Sequence, residues 1–243
     1  MKVAIFVEGQ TELILVREML LKLFNYQNIN LECFNLYSKE NLQVTEYHFL
    51  NERAEYYFQI VNVGNDNAVL ARILRREQRL LDAGFDRIIG LRDMYSKAYR
   101  EAVGNANIDL EINEQFKVGH QEQVNNNAVM PERIFFRFAI METEAWLLGL
   151  AHIFDQIDEN LTIDFIEQQL GYNLDSIDPE ILFFQPANEL KTIFELVGKT
   201  YDKSRGDVNS IVSLIERNDY MLLELAEKCN SYSAFYQAIP QAE

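Results

Sequence analysis

The chain has 243 residues, 48% hydrophobic and 25% charged, which is room for one large domain or two small ones with a sizeable core. Its formal charge of −16 argues against a broad basic groove coating duplex DNA, because phosphate binding needs clustered Lys and Arg. A metal-dependent enzyme stays open, since bound cations reverse the local field.

Lys2 to Val7 is a short apolar, β-branched run that breaks at Glu8-Gly9-Gln10-Thr11-Glu12. It reads as a buried strand that delivers a carboxylate at its C-terminal end, then a glycine turn. The run is too short for a signal peptide and ends in glutamate. Thr11 to Phe24 carries Leu13, Val16, Met19, Leu20, Leu23 and Phe24 at helical spacing. Ile29 to Tyr37, Val44 to Leu50 and Tyr56 to Val63 are strand candidates. Gly64 to Asn67 is a turn, with Asp66 or Asn67 as cap for a helix over Ala68 to Leu81. That helix holds a basic stripe, Arg72, Arg75, Arg76 and Arg79, readable as a solvated face or as a phosphate-contacting ridge.

After a turn at Ala83 to Asp86, Arg87 to Asp93 is a second strand ending in an acid. A polar helical region over Tyr95 to about Val103 follows. Gly104 to Asn127 is Asn-rich, with a helical part near Leu110 to Gln123, and suggests a mobile flap. Arg133 to Ile140 is a third buried strand, running into a helix start at Met141 to Leu148. From about Ala151 the pattern is helical, with breaks expected near Gly171, at Pro179 and Pro186, and near Gly206. Strands alternating with helices predict an α/β fold: a mainly parallel central sheet flanked by helices over 1–150, with a C-terminal helical extension over 151–243 packed on it.

Three strand ends carry acids: Glu8, Asp93, and Glu142 or Glu144. Parallel strands bring such ends to one edge, where ligands collect in open α/β sheets. Converging carboxylates repel until a cation offsets them, and Mg2+ (or Mn2+) suits an all-oxygen site. The chemistry this favours is phosphoryl transfer or phosphodiester hydrolysis. Glu142 and Glu144 both face one site if the helix starts after Glu142; otherwise one of them caps the helix. Arg92 and Arg137 lie in strands beside the acids, as buried partners of the carboxylates or as phosphate ligands. Lys203 and Arg205 sit in a charged turn, Tyr201 to Asp207, either solvated or folded over the acidic edge onto phosphate. Trp146 shares a helical face with Leu150 and Ile153 and reads as core.

Val7-Glu8-Gly9-Gln10-Thr11-Glu12 resembles the opening motif of Toprim domains, found in topoisomerases, primases and OLD-family nucleases. The resemblance implies Glu8 as general acid or base and Asp93 as the first aspartate of a magnesium-binding Asp-x-Asp; the second position is Tyr95. A closer resemblance is to a Toprim-like family of uncharacterised bacterial proteins. It rests on Glu-Gly-x-Thr-Glu, the strand-end Asp93, Glu142-Thr143-Glu144-Ala145-Trp146-Leu147-Leu148 and Tyr201-Asp202-Lys203. It implies a nuclease or phosphodiesterase acting on nucleic acid or nucleotide, in phage defence or mobile-element biology, or an inactive module that binds a nucleotide or a protein partner. For the enzyme, Asp93 with Glu142 and Glu144 are the expected metal ligands, and Lys203, Arg205, Arg92 and Arg137 the candidate substrate contacts.

Other chemistries lack their residues. Val197-Gly198-Lys199-Thr200 has Ile193 where a phosphate loop needs its upstream glycine. The three histidines form no His-x-x-x-His pair, and neither a Gly-x-Ser-x-Gly elbow nor a Gly-x-Gly-x-x-Gly turn occurs. Cys33 and Cys229 are too isolated for a zinc site or a disulfide framework. No apolar stretch reaches membrane-spanning length. We therefore expect a cytoplasmic protein with no membrane partner.

Overall fold

In the computed structural model of the protein, residues 1–37, 41–64, 68–104 and 106–241 are described. Val3 to Val7 of strand β1 (Lys2–Val7) are completely buried, as a central strand covered on both faces requires. The other strands are β2 (Ile29–Tyr37), β3 (Asn41–Val44), β4 (Tyr56–Asn62), β5 (Arg87–Asp93) and β6 (Ile134–Ala139). They form one sheet in the order β3-β2-β4-β1-β5-β6, parallel throughout except where β3 runs antiparallel to β2. The parallel α/β expectation is met.

Helix α1 (Gln10–Leu23) carries the chain from β1 outward to β2. Helix α2 (Val69–Asp82) carries it from β4 back across β1 to β5. Right-handed crossovers in opposite directions put these helices on opposite faces of the sheet. Two apolar cores result. Val3, Ile5 and Val7 face α1 and the C-terminal helices, whereas Ala4 and Phe6 face α2. The edge between β1 and β5 is thus the switch point of the sheet, where the strand ends open a crevice.

The strand expected over Val44 to Leu50 is not formed. β3 ends at Val44, and beyond it β2 keeps only a single bridge, Leu31 with Phe49. Local side-chain bonds compete with the ladder there: the Thr45 hydroxyl donates to the Cys33 carbonyl (3.1 Å) and accepts from the Tyr47 N–H (3.3 Å). The cap expected at Asp66 or Asn67 lies outside the described residues. The exposed side of α2 carries Arg75 and Arg79, while Val69, Ile73 and Leu80 pack on the sheet.

In the segment read as a flap, the helical part expected near Leu110 to Gln123 is present as a regular helix. Ser96 caps α3 (Lys97–Val103), accepting from the Tyr99 N–H (3.2 Å), and Asp109 caps α4 (Leu110–Asn127). α4 reaches past the expected Gln123 because Ile112, Phe116 and Val124 give it a narrow apolar stripe against the second core.

The last third is helical, as expected: α5 (Glu144–Gly149), α6 (Phe154–Ile157), α7 (Ile163–Leu170), α8 (Pro179–Leu182), α9 (Pro186–Glu195), α10 (Arg205–Leu214), α11 (Arg217–Leu225) and α12 (Asn230–Ala238). Pro179 and Pro186 begin helices, because a first-turn residue needs no N–H partner. Gly171 ends α7 in the left-handed region (φ 81°). Gly206 lies in the first turn of α10. α10 and α11 pack on α1, and α12 covers β6. Lys22 of α1, only 8% exposed, donates its ammonium to the carbonyls of Ser213 (2.9 Å) and Ile215 at the end of α10. The C-terminal helices therefore share the α1-side core with the sheet.

Candidate functional site

Glu8 follows β1 while the ladder continues. Val63 donates to the Val7 carbonyl (2.9 Å) and Gly64 to that of Glu8 (2.8 Å). The Glu8 carboxylate turns toward β5 and accepts the backbone N–H of Asp93 (3.1 Å). Along β5, Ile89 and Leu91 face the α1 side and Asp93 continues that alternation, so its carboxyl is buried on the same side as α1. It accepts the N–H of Thr143 (3.2 Å).

Helix α1 adds an acid from its buried stripe. Glu12, 5% exposed, accepts the Thr143 hydroxyl (3.2 Å). Gly9 makes room for it: a Cβ there would lie 3.0 Å from Glu12 Oε2. Beyond β6 the chain turns sharply at Met141 (φ 61°) and starts α5 at Glu144. Glu142 thus stays in the incoming turn, the arrangement in which both glutamates reach one site. Glu144 is completely buried; its Oε1 accepts from the Tyr201 hydroxyl (2.9 Å), whereas Oε2 has no hydrogen-bond partner among the described residues.

Lys203 closes the cluster from the loop before α10. Its ammonium lies 2.7 Å from Glu142 Oε1 and 3.1 Å from Glu144 Oε1. The second Glu142 oxygen accepts the Ala187 N–H (3.1 Å). Lys203, like Met141, holds a left-handed backbone (φ 55°), a conformation that costs a non-glycine residue about 1 kcal/mol or more.

Burial dominates the electrostatics. It pushes the Asp93 carboxyl well above the usual range, the charges of Glu12, Glu8 and Glu144 push it further, and Lys203 pulls it back. Burial likewise raises Glu144, with Lys203 opposing and Glu142 and Glu12 adding. Glu12 is raised by burial against its backbone bonds, Lys203 and Thr143. Burial disfavours the Lys203 ammonium, but Glu144 and Glu142 outweigh it and hold its pKa above that of a free lysine.

Of the residues singled out from sequence, Glu8, Asp93, Glu142, Glu144 and Lys203 meet here. Arg205, in the first turn of α10, pairs instead with Glu46 (2.8 Å). Arg92 alternates to the opposite face, where it contacts His120 (3.2 Å) and the Phe138 ring (5.9 Å). Arg137 donates to the carbonyls of Ala234 and Phe136 (3.1 Å each) under α12. Sequence reasoning missed Glu12, Thr143 and Tyr201 as members of the site. For Glu12 a signal existed: it shares the helical stripe of Val16, Leu20 and Leu23, and a carboxylate on an apolar stripe needs a reason. Trp146 is core, 2% exposed, with its Nε1 donating to Glu180 (2.9 Å).

All-oxygen donors, a partnerless buried Glu144 oxygen and mutually raised carboxyls fit a hard divalent cation in donor chemistry and in charge. They are not pre-gathered for it: among the described residues no three Asp, Glu, His or Cys side chains converge on one ion position. The positive charge present is that of Lys203. No helix among the described residues is long and apolar enough to cross a membrane. Compared with protein-family models, with curated proteins and with solved structures, the chain matches none.

Proposed function

We propose that the protein is a Toprim-like, Mg2+- or Mn2+-dependent phosphodiesterase that cleaves nucleic acid or a nucleotide. The observation that carries this reading is the chain of contacts at the C-terminal edge of β1 and β5 that joins Glu8 to Asp93, Asp93 and Glu12 to Thr143, and Glu142 and Glu144 to Lys203. Asp93 and Glu144 would hold the cation, with Glu142 at its margin. Such an ion, when bound, polarises a phosphate oxygen and stabilises the leaving oxygen. Glu8 is less buried than Glu12, Asp93 and Glu144, which supports a role in taking or giving a proton at a substrate oxygen. Lys203 brings the positive charge that a phosphate needs in acidic surroundings, and Thr143 and Tyr201 orient the acids beneath it. A role in phage defence or mobile-element biology rests on the motif resemblance alone.

The first test is calorimetric titration of Mg2+ and Mn2+ into wild type and Asp93→Asn, followed by cleavage assays on Glu8→Gln. The reading expects binding that Asp93→Asn abolishes and cleavage that Glu8→Gln removes. Absence of binding at millimolar metal, or cleavage unchanged in Glu8→Gln, would refute it.

A second reading has its own support. Tyr95 occupies the position of the second acid and is built into the structure: its hydroxyl accepts from Gln185 Nε2 (2.9 Å) and its ring packs on Phe184 (5.5 Å). With Lys203 already balancing the acids, the fold would serve as a non-catalytic module for a nucleotide or a protein partner. That reading expects ligand binding without turnover, unaffected by Glu8→Gln.

A further inference from the structure

β6 is the last strand of the sheet, and its outer flank is roofed by two helices, α4 on one side and α12 on the other. Between them lies a cavity of about 300 Å3 whose walls include Lys117, Val118, Phe136, Arg137, Phe138 and Ala234. That volume is at the lower end of the range for small-molecule sites. The Phe136 and Phe138 rings, 5.3 Å apart, and the exposed Val118 offer an apolar wall.

Arg137 gives the cavity its sign. Its two hydrogen-bond acceptors are neutral carbonyls, which use only part of a five-donor guanidinium. Among the described residues no carboxylate lies within ion-pair distance of it. Burial alone perturbs it, lowering its pKa with no acid contributing. The guanidinium rests over the Phe135 ring (5.7 Å) with N–H donors to spare and no counter-charge among the described residues, and its planar fork matches carboxylate and phosphate. Lys117 at the rim is matched by Glu114 (2.7 Å), so the uncompensated charge is that of Arg137. The adjoining hollow is bordered by Asp178 and Glu180 and repels an anion, which fixes the anionic end at Arg137.

We propose that this cavity binds a small amphipathic anion, an aromatic or branched apolar body carrying one carboxylate or phosphate. The anionic group docks on Arg137 and the body lies against Phe136, Phe138 and Val118. The site is separate from the acid cluster, and its existence does not depend on the proposed phosphodiesterase.

The test is methyl-resolved NMR of the full chain, following Val118 and Ala234 during titration with benzoate and with phenyl phosphate. Benzamide and inorganic phosphate serve as controls. Saturable shifts of both methyls are expected. Affinity should fall about tenfold or more for benzamide and in Arg137→Gln, the scale of a lost charge-assisted contact. Binding should vanish in Ala234→Phe, which fills the cavity while leaving Arg137 and the residue 234 carbonyl in place. The tighter of the two anions identifies the headgroup. No saturable shift with either anion up to about 10 mM, a millimolar-range limit, overturns the proposal. So does equal affinity in Arg137→Gln, or inorganic phosphate binding as well as phenyl phosphate. If Arg137→Gln fails to fold, Ala234→Phe decides.

Discussion

Replacing Lys203 with methionine removes the one ammonium paired with Glu142 and Glu144 and keeps most of its aliphatic bulk. Breaking one partner out of a buried ion pair costs about 3–5 kcal/mol. The Lys203 side chain is 37% exposed, so solvent screening reduces this to about 2 kcal/mol. For a chain of this size that is a fall in Tm of about 4–8 °C. Trp146, the sole tryptophan, lies two residues past Glu144 and reports the transition by fluorescence. The sign with pH follows from the acids. Asp93, Glu12 and Glu144 have raised pKa values, so they take up protons earlier than ordinary carboxyls as pH falls. The loss should therefore be full near pH 8 and shrink near pH 5. An equal loss at both values, or none at pH 8, refutes the claim that Lys203 balances ionised acids. Millimolar Mg2+ should restore part of the stability of Lys203→Met at pH 8. Failure of that arm alone would remove the metal and leave the electrostatics.

Other outcomes are expected. Asp93→Asn should stabilise the metal-free protein by about 1 kcal/mol or more at pH 8, since it deletes a buried repelled charge, and should abolish any Mg2+-induced rise in Tm; a destabilised variant would contradict the assigned repulsion. Glu180 is only 4% exposed, and burial pushes its carboxyl up to about 7 against its bonds from Ser231 and Trp146. Its raised value favours the folded state at low pH, and that contribution is lost as pH rises from about 4.5 through about 7. Over that window wild type should lose about 3 kcal/mol more stability than Glu180→Gln, and parallel denaturation profiles would refute the assignment. Gly90→Ala should cost about 1–3 kcal/mol by overpacking. Its Cβ would meet Phe136 at 2.6 Å and Ile73 at 2.7 Å, and urea denaturation measures the loss.

Much of this architecture is readable from local pattern. β5 spans the expected Arg87 to Asp93, and α1 and α2 lie within one residue of the stretches predicted from apolar spacing. Where the pattern misled, tertiary contacts decided. Thr45 bonding to Cys33 ended a strand, and a narrow stripe on α4 carried that helix past its expected end. In the acid site, residues that end strands were visible because a carboxylate after an apolar run breaks the pattern. Glu12 breaks an apolar helical stripe but ends no strand, and Tyr201 opens a charged turn that names no partner. Only distance in space shows Tyr201 on Glu144 and Thr143 on Glu12, across separations of 57 and 131 residues. Arg92 shows the converse. It neighbours Asp93 in sequence, yet strand alternation turns it to the far side of the sheet.

The separation of Lys203 from the acids also has a consequence for synthesis on the ribosome. Glu8, Glu12, Asp93 and Glu144 all emerge before the residue that balances them, and Lys22 likewise waits for carbonyls 191 and 193 residues downstream. A nascent chain stopped short of α10 would hold its carboxylates at a sheet edge without their counter-charge, and α1 without its cover. The edge therefore closes only after the segment carrying Lys203 and α10 has emerged, and a product cut before it lacks a finished site.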